Sequence, residues 1–284
     1  VVADLVDKSM VAVADDGPDG RRYALLETLR AYGAERLAER GETNACRRAH
    51  AVHHVAAVER AAEGMRSPEV VRWVTRVAAL FDDLRAAHAW ALEHDLELAV
   101  RLVAALFDYA ELRMPPEVPA WADRPVAAIR ERGAPSPWAA VVYAVAAGGA
   151  RFRGDFERAR TLADEGLALL PDPRDALRRY PLYLKTETEL FLGNSEAGLA
   201  TAAELERLAA PIDDDPLHTM LASMNGALIA SYSGDSATGI ARADALRARA
   251  AAAGHPVAIA WALYAQGEVR LDVEPQRAAE LLEE

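Results

Sequence analysis

The sequence predicts an all-α protein: an α-solenoid of stacked helical hairpins, preceded by a short segment built around a β-hairpin. Three observations carry this. Of 284 residues, 63 are alanine, the residue with the lowest cost of entering a helix. A turn motif recurs at near-constant spacing, with helical periodicity on both sides of each copy. Strand-like sequence is confined to one stretch near the start.

That stretch comes first. Ser9-Met10-Val11-Ala12-Val13-Ala14 reads as a strand, and Asp15-Asp16-Gly17-Pro18-Asp19-Gly20 as a dense turn signal. Arg22-Tyr23-Ala24-Leu25-Leu26 returns as a second strand. A helix is expected from about Thr28 to Arg40, with Leu29, Tyr32, Gly33, Arg36 and Leu37 on one face and Gly41 closing it. Helix end, hairpin and helix in this order form the last part of a winged-helix unit. Residues 1–42 are assigned to it, residues 43–112 to a helical linker and first repeat, and residues 113–284 to the repeats.

From Ala45 onward the pattern is helical, broken by Gly and Pro. Gly154-Asp155-Phe156-Glu157-Arg158-Ala159 recurs as Gly193-Asn194-Ser195-Glu196-Ala197-Gly198 and as Gly234-Asp235-Ser236-Ala237-Thr238-Gly239. A degenerate copy begins at Val273, so the starts lie 39, 41 and 39 residues apart. After the first copy, Ala159, Leu162, Ala163, Gly166, Leu167 and Leu170 fall on one helical face. Before it, Trp138, Val141, Val142, Val145, Gly149 and Phe152 do the same. Leu217, Leu221, Met224, Leu228 and Tyr232 form a further first-helix stripe. Glycine permits the positive φ that reverses the chain, and the following Asp or Asn caps the second helix. A small residue five positions on lets the two helices approach. His94-Asp95 fits the same pattern ahead of Leu98, Leu102, Ala105 and Tyr109, so the array is expected to begin near residue 70. Met114-Pro115-Pro116-Glu117-Val118-Pro119 ends one helix and starts the next.

A formal net charge of −12 argues against broad binding to nucleic acid or anionic membrane. The lone Cys46 leaves no internal disulfide and no cysteine-rich zinc site. No apolar run is long enough to span a bilayer and no basic-then-apolar leader opens the chain, so a cytoplasmic location is expected. The start at Val1 and the helical pattern running to Glu284 are expected of a piece of a longer protein.

Leu5-Val6-Asp7-Lys8-Ser9-Met10-Val11, followed by Arg22-Tyr23-Ala24-Leu25-Leu26-Glu27-Thr28-Leu29-Arg30-Ala31-Tyr32, resembles the "LVDKSLV … RYRLLETVRQY" signature. That signature closes the winged helix of actinobacterial STAND-type ATPase regulators, including those of LuxR or SARP type. Ala34 to Glu42 continues it. Asp83-Leu84-Arg85-Ala86-Ala87-His88-Ala89-Trp90-Ala91-Leu92-Glu93 is similar to the family's "NLRAALAWALE", with Asp83 in place of the usual Asn. Ala99 to Leu106 resembles "ALRLAAAL". The match covers residues 4–110 and becomes generic tetratricopeptide-like beyond about 135. The Pro-rich segment at 114–119 departs from the family, where a Gly-containing turn stands. The resemblance implies a C-terminal sensor of a signal-transduction ATPase. Its tetratricopeptide-like repeats would bind an effector or partner and control the protein's own upstream ATPase domain.

Candidate chemistry is sparse. The only lysines, Lys8 and Lys185, are not preceded by the glycines of a P-loop, so the chain is not expected to hydrolyse nucleotide. No residue is assigned to catalysis, cofactor binding or metal. His50 and His54 lie one helical turn apart, but Glu59 and Cys46 are poorly spaced as a third ligand, and a solvated face beside Arg47-Arg48 is the plainer reading. Asp213-Asp214-Asp215 before Pro216 reads as a helix-capping loop rather than a cation site. Arg21 and Arg22 suit phosphates, but Asp15, Asp16 and Asp19 surround them in sequence, so direct DNA contact is not expected.

Three functions compete: a regulatory interaction module, a free-standing repeat scaffold, and a DNA-contacting winged helix. The first is preferred. In stacked hairpins the first helices line the concave surface. Tyr143, Arg151, Lys185, Glu189, Asn225, Tyr264 and Arg270 on those helices are the expected contacts for a protein or peptide partner or a small effector.

Overall fold

A computed structural model describes residues 2–17, 20–209 and 216–284. The Asp213–Asp215 loop therefore lies outside the described residues.

Helix α1 (Val2–Asp7) leads into strands β1 (Val11–Gly17) and β2 (Gly20–Leu25), which pair antiparallel as a two-stranded sheet. The register sets Val11 opposite Leu25 and Asp15 and Asp16 opposite Arg22 and Arg21, with an irregularity between Val13 and Asp15. Helix α2 (Glu27–Glu39) follows and ends at Gly41, whose φ of +70° is the expected reversal. Neither α1 nor α2 buries a residue, and Leu25, Leu26 and Tyr32 are each more than half exposed.

The buried array begins earlier than residue 70. Helix α3 (Thr43–Met65) is part of it, burying Ala51, Val55, Val58, Ala61 and Met65 against α4 (Val70–Ala79), α5 (Phe81–His94) and α6 (Leu96–Ala105). The stretch expected to run unbroken from Leu98 to Tyr109 is divided into α6 and α7 (Phe107–Arg113). Leu106, fully buried, donates to Val103 in a tightened last turn, and this re-aims Phe107 into the core. Met114 then adopts the left-handed conformation (φ 49°), as the residue before a proline is disfavoured from continuing a helix. Helix α8 (Glu117–Arg132) starts directly after Pro116.

The remainder is a run of hairpins. Helix α9 (Ala139–Phe152) pairs with α10 (Phe156–Ala168), and α11 (Arg179–Leu192) with α12 (Ser195–Ala209), after the 3-10 turn η1 (Ala176–Arg178). Helix α13 (Pro216–Tyr232) pairs with α14 (Ser236–Ala253), and α15 (Pro256–Glu268) with α16 (Pro275–Glu283). Successive first helices α9, α11, α13 and α15 also touch one another, so they form the inner layer. The repeated turn behaves as its residues require: Gly154, Gly193 and Gly234 have φ of +77°, +74° and +95°. Asp155 and Asp235 accept from the backbone N–H three residues on. Gly239 lets α14 sit on α13, for a Cβ there would meet the Ala227 carbonyl oxygen at 3.0 Å.

The array does not stay open. His255 is fully buried at the start of α15, where Nδ1 accepts from the Ala258 N–H at 3.1 Å and Nε2–H donates to the Met65 carbonyl at 3.1 Å. Arg66, following α3, donates from Nη2 to the Tyr180 hydroxyl of α11 at 2.5 Å and from Nε to Asp108 of α7 at 3.3 Å. His218 of α13 lies 3.0 Å from the same Asp108 carboxylate. Helix α9 is consequently buried on every side from Ala139 to Arg151, rather than along one stripe.

One buried polar group makes stability depend on pH. His88 stacks on Trp121 with ring centroids 4.8 Å apart, and its Nε2–H donates to the Trp121 carbonyl at 3.2 Å. Burial, with a smaller push from the Arg124 charge, holds the ring's pKa down at about 4, while the Trp121 carbonyl works in the opposite direction. The unfolded chain takes up this proton near 6.5, the folded chain only near 4, so protonation favours unfolding. The His88 contribution is present above 6.5 and is lost as pH falls toward 4, about 3 kcal/mol in all. Urea titrations across that window should show this loss in the wild type and a visibly flatter profile in His88→Phe, which keeps the stack. Parallel profiles for the two proteins would exclude it.

Candidate functional site

A cleft of about 400 Å³ opens on the inner layer. Its walls come from α7 and from the first helices in turn, and α7, α11 and α13 contribute residues one helical turn apart, which share a face. Helix α7 supplies Phe107 and Glu111, α11 supplies Tyr183, Glu187 and Phe191, and α13 supplies Leu217 and Leu221. Arg151 and Phe152 of α9, Phe156 of α10 and Trp261 of α15 add to it, with Asp108 beside Phe107 and Met114 at one edge. Phe156 and Phe191 stack with centroids 5.2 Å apart. Most of the lining is apolar and aromatic; Asp108, held by Arg66 and His218, lies at its base, and one further charged cluster is set into it.

Arg151 is the centre of that cluster. Its Nη2 donates to Glu111 at 2.8 Å, its other terminal nitrogen pairs with Glu187, and its guanidinium lies over the Phe152 ring at 4.4 Å. The Tyr183 hydroxyl donates to the same Glu111 oxygen at 3.1 Å. Burial drives the Tyr183 pKa far above its ordinary value, and the Glu111 charge adds to this, so the hydroxyl remains a donor at any physiological pH. Two carboxylates face one guanidinium, which leaves the cleft with an excess negative charge amid aromatic walls. Such a site favours an apolar ligand that carries a cation.

The seven expected contact residues are not brought together. Arg151 lines the cleft, and Tyr264 adjoins it by packing edge-on against Trp261 at 5.9 Å. Tyr143 of α9 is buried outside the cleft, under the Arg130 guanidinium, which is held by Glu165. Lys185 pairs with Asp164 at 2.6 Å, and buried Glu189 accepts from Asn194 at 2.7 Å, fastening the end of α11 to its turn. Asn225 is buried within α13, and Arg270 is held by Asp244 at 2.7 Å and Glu274 at 3.1 Å. Four of the seven thus serve contacts within and between hairpins, and Asn225 is buried without a partner for its side-chain nitrogen. Glu111, Tyr183, Glu187, Phe191 and Trp261 had no distinguishing sequence signal beyond the i, i+4, i+8 spacing of the three on α11.

The histidine pair is also better furnished than its sequence indicates. Glu59 is engaged elsewhere, gripping Arg101 at 2.8 and 2.9 Å, and Cys46 is exposed. Asp83 of α5, however, lies 3.3 Å from His50 Nε2. Burial and the neighbouring His50 hold the His54 pKa below its ordinary value, with Asp83 opposing them.

No protein-family model matches the chain. It is similar to proteins named as helix-turn-helix-type transcriptional regulators in Mycobacterium tuberculosis and Mycobacterium bovis. Each is 39% identical over an alignment of 116 residues that covers 38% of this chain. The chain spans only 13% of the length of these relatives. The likeness is to regulators rather than to enzymes. Among the described residues no helix is long and apolar enough to cross a membrane.

Proposed function

We propose that this chain is a non-catalytic sensor module of a larger transcriptional regulator of the STAND ATPase type. The inner cleft of its tetratricopeptide-like repeats binds the effector or partner. The occupant is a peptide segment or small molecule with an apolar body and a cationic group. The reading rests chiefly on one observation: first helices of successive hairpins converge on one aromatic cleft holding a partly compensated acidic pair. A site built from several repeats at once is suited to sensing, because a ligand that spans them biases their relative packing. The similarity to named regulators supports the same reading. The N-terminal segment, with α1, the hairpin and α2, is taken as the end of a winged helix that connects the repeats to an upstream ATPase domain. Neither nucleic acid nor a cofactor is required by this part of the protein.

The experiment is made in the full-length regulator. Phe191→Ala and Trp261→Ala remove exposed aromatic surface from the cleft wall, where little stability is at stake. The transcriptional response to the native signal is expected to fall about tenfold or more, the loss of roughly 1.4 kcal/mol of binding. Thermal melting of the protein should stay close to wild type. An unchanged response in both variants would refute the cleft as the sensing site.

A further inference from the structure

We propose that His50, His54 and Asp83 form a binding site for a divalent first-row transition-metal ion, with Zn²⁺ the fitting occupant. The site lies outside the cleft and does not depend on the sensor reading.

The three side chains offer ligand atoms that all fall within 4.8 Å of one another. His50 and His54 stand one turn apart on α3, so their rings overlie one another, with centroids 4.3 Å apart. Asp83 comes from the first turn of α5, a helix packed directly against α3. Both backbones are fixed from below by core residues next to the ligands, Ala51 and Val55 on α3 and Leu84 and Ala87 on α5. The donors are therefore held by rigid elements rather than by loops.

The geometry is close to what the ion demands. Four-coordinate zinc holds nitrogen and oxygen donors at about 2.0–2.2 Å, which sets them roughly 3.4 Å apart. The His50–Asp83 pair is already at 3.3 Å. The His54 ligand atom lies within 4.8 Å of the other two, and a small rotation of its ring is what an ion would require to complete the set. His54 Nδ1 is buried and makes no hydrogen bond, an uncommon condition for a buried polar atom. Two imidazoles and one carboxylate suit zinc, nickel, cobalt or copper, and not magnesium or calcium, which prefer all-oxygen sets. The side chains of His50 and Asp83 are 36% and 47% exposed, so an ion has a path in and a position remains for water or an outside ligand. A bound ion would fasten α3 to α5 at the base of the array.

The test uses the full chain without a polyhistidine tag, stripped with chelator and titrated with ZnCl₂ by calorimetry. Co²⁺ absorption provides an independent report of coordination. One saturable equivalent per chain is expected, with a rise in melting temperature, since an ion that binds only the folded state stabilises it. Asp83→Asn and His50→Ala should each weaken binding about 10- to 100-fold or more, at least the effect of losing an outer-shell partner. The exposed neighbour variant His53→Gln should bind as wild type. Absence of saturable binding by the wild-type chain would overturn the proposal. So would unchanged affinity in Asp83→Asn, which would reduce the site to a surface histidine pair, or loss of binding in His53→Gln. Circular dichroism of each metal-free variant separates lost binding from lost folding.

Discussion

Replacing Arg151 with methionine should lower the unfolding free energy by about 3–5 kcal/mol, the usual cost of removing one partner from a buried ion pair. The guanidinium is only 6% exposed, and the two carboxylates it holds, Glu111 and Glu187, are 11% and 16% exposed. Methionine keeps much of the apolar stem that packs in the cleft, so the change isolates the charge. What remains is two acids facing one another, with the Tyr183 hydroxyl still donating to Glu111. Arg151→Lys restores a charge without the planar fork and should recover only part of the loss. Adding Glu111→Gln and Glu187→Gln to Arg151→Met should recover most of it, because the orphaned charges are gone. The measurement is the urea midpoint at constant denaturant slope. A loss below about 1 kcal/mol would mean that the cluster behaves as a solvated surface pair.

Phe107→Ala should cost a comparable amount, about 3–5 kcal/mol, by a different route. The ring is 2% exposed and meets Tyr180 edge-on at 4.9 Å, Tyr183 at 6.2 Å and His218 at 5.9 Å. It is the common contact of α7, α11 and α13. Truncation removes the transfer energy of the ring and leaves a void that these helices cannot close without breaking the Asp108–His218 contact. Since Tyr183 touches both Phe107 and the Arg151 cluster, the two losses should not add. A double-mutant cycle should return a coupling of roughly 0.5–3 kcal/mol. Strict additivity would show that the aromatic core and the charged cleft are mechanically separate.

The hairpins were legible because they are local. Gly154, Gly193 and Gly234 announce their own φ, and Asp95, Asp155 and Asp235 announce their own caps, since both depend on a few adjacent residues. The small residue at Gly198 or Gly239 likewise reports a close approach within one hairpin or to the next helix. Curvature is another matter. How far each hairpin rotates on the last is the sum of small packing angles, and no periodicity records that sum. The expected contact residues are dispersed for this reason. Tyr143, Lys185, Glu189, Asn225 and Arg270 are polar residues of first helices, but the tight winding buries or engages them between hairpins. Asp83 was missed as a companion of His50 because the two are 33 positions apart and meet only through the packing of α3 on α5.

The hydrogen bond from His255 to the Met65 carbonyl joins positions 190 residues apart, and this alters how the chain must fold and come apart. In an open array each hairpin touches only its neighbours, so structure can start anywhere, spread along the line and fray from the ends. Here the start of α15 also touches the last residue of α3, and Arg66 and Asp108 add links from that end of the array to α11 and α13. Losing one end therefore removes these contacts from the other, which couples the loss of the two and opposes a stepwise unzipping. The same links raise the mean sequence separation of native contacts, so formation of the closed array is slower than a purely local helical stack of this size. The entropy of closing so long a loop grows only logarithmically with its length, and a few buried contacts of this kind suffice to hold the two ends together.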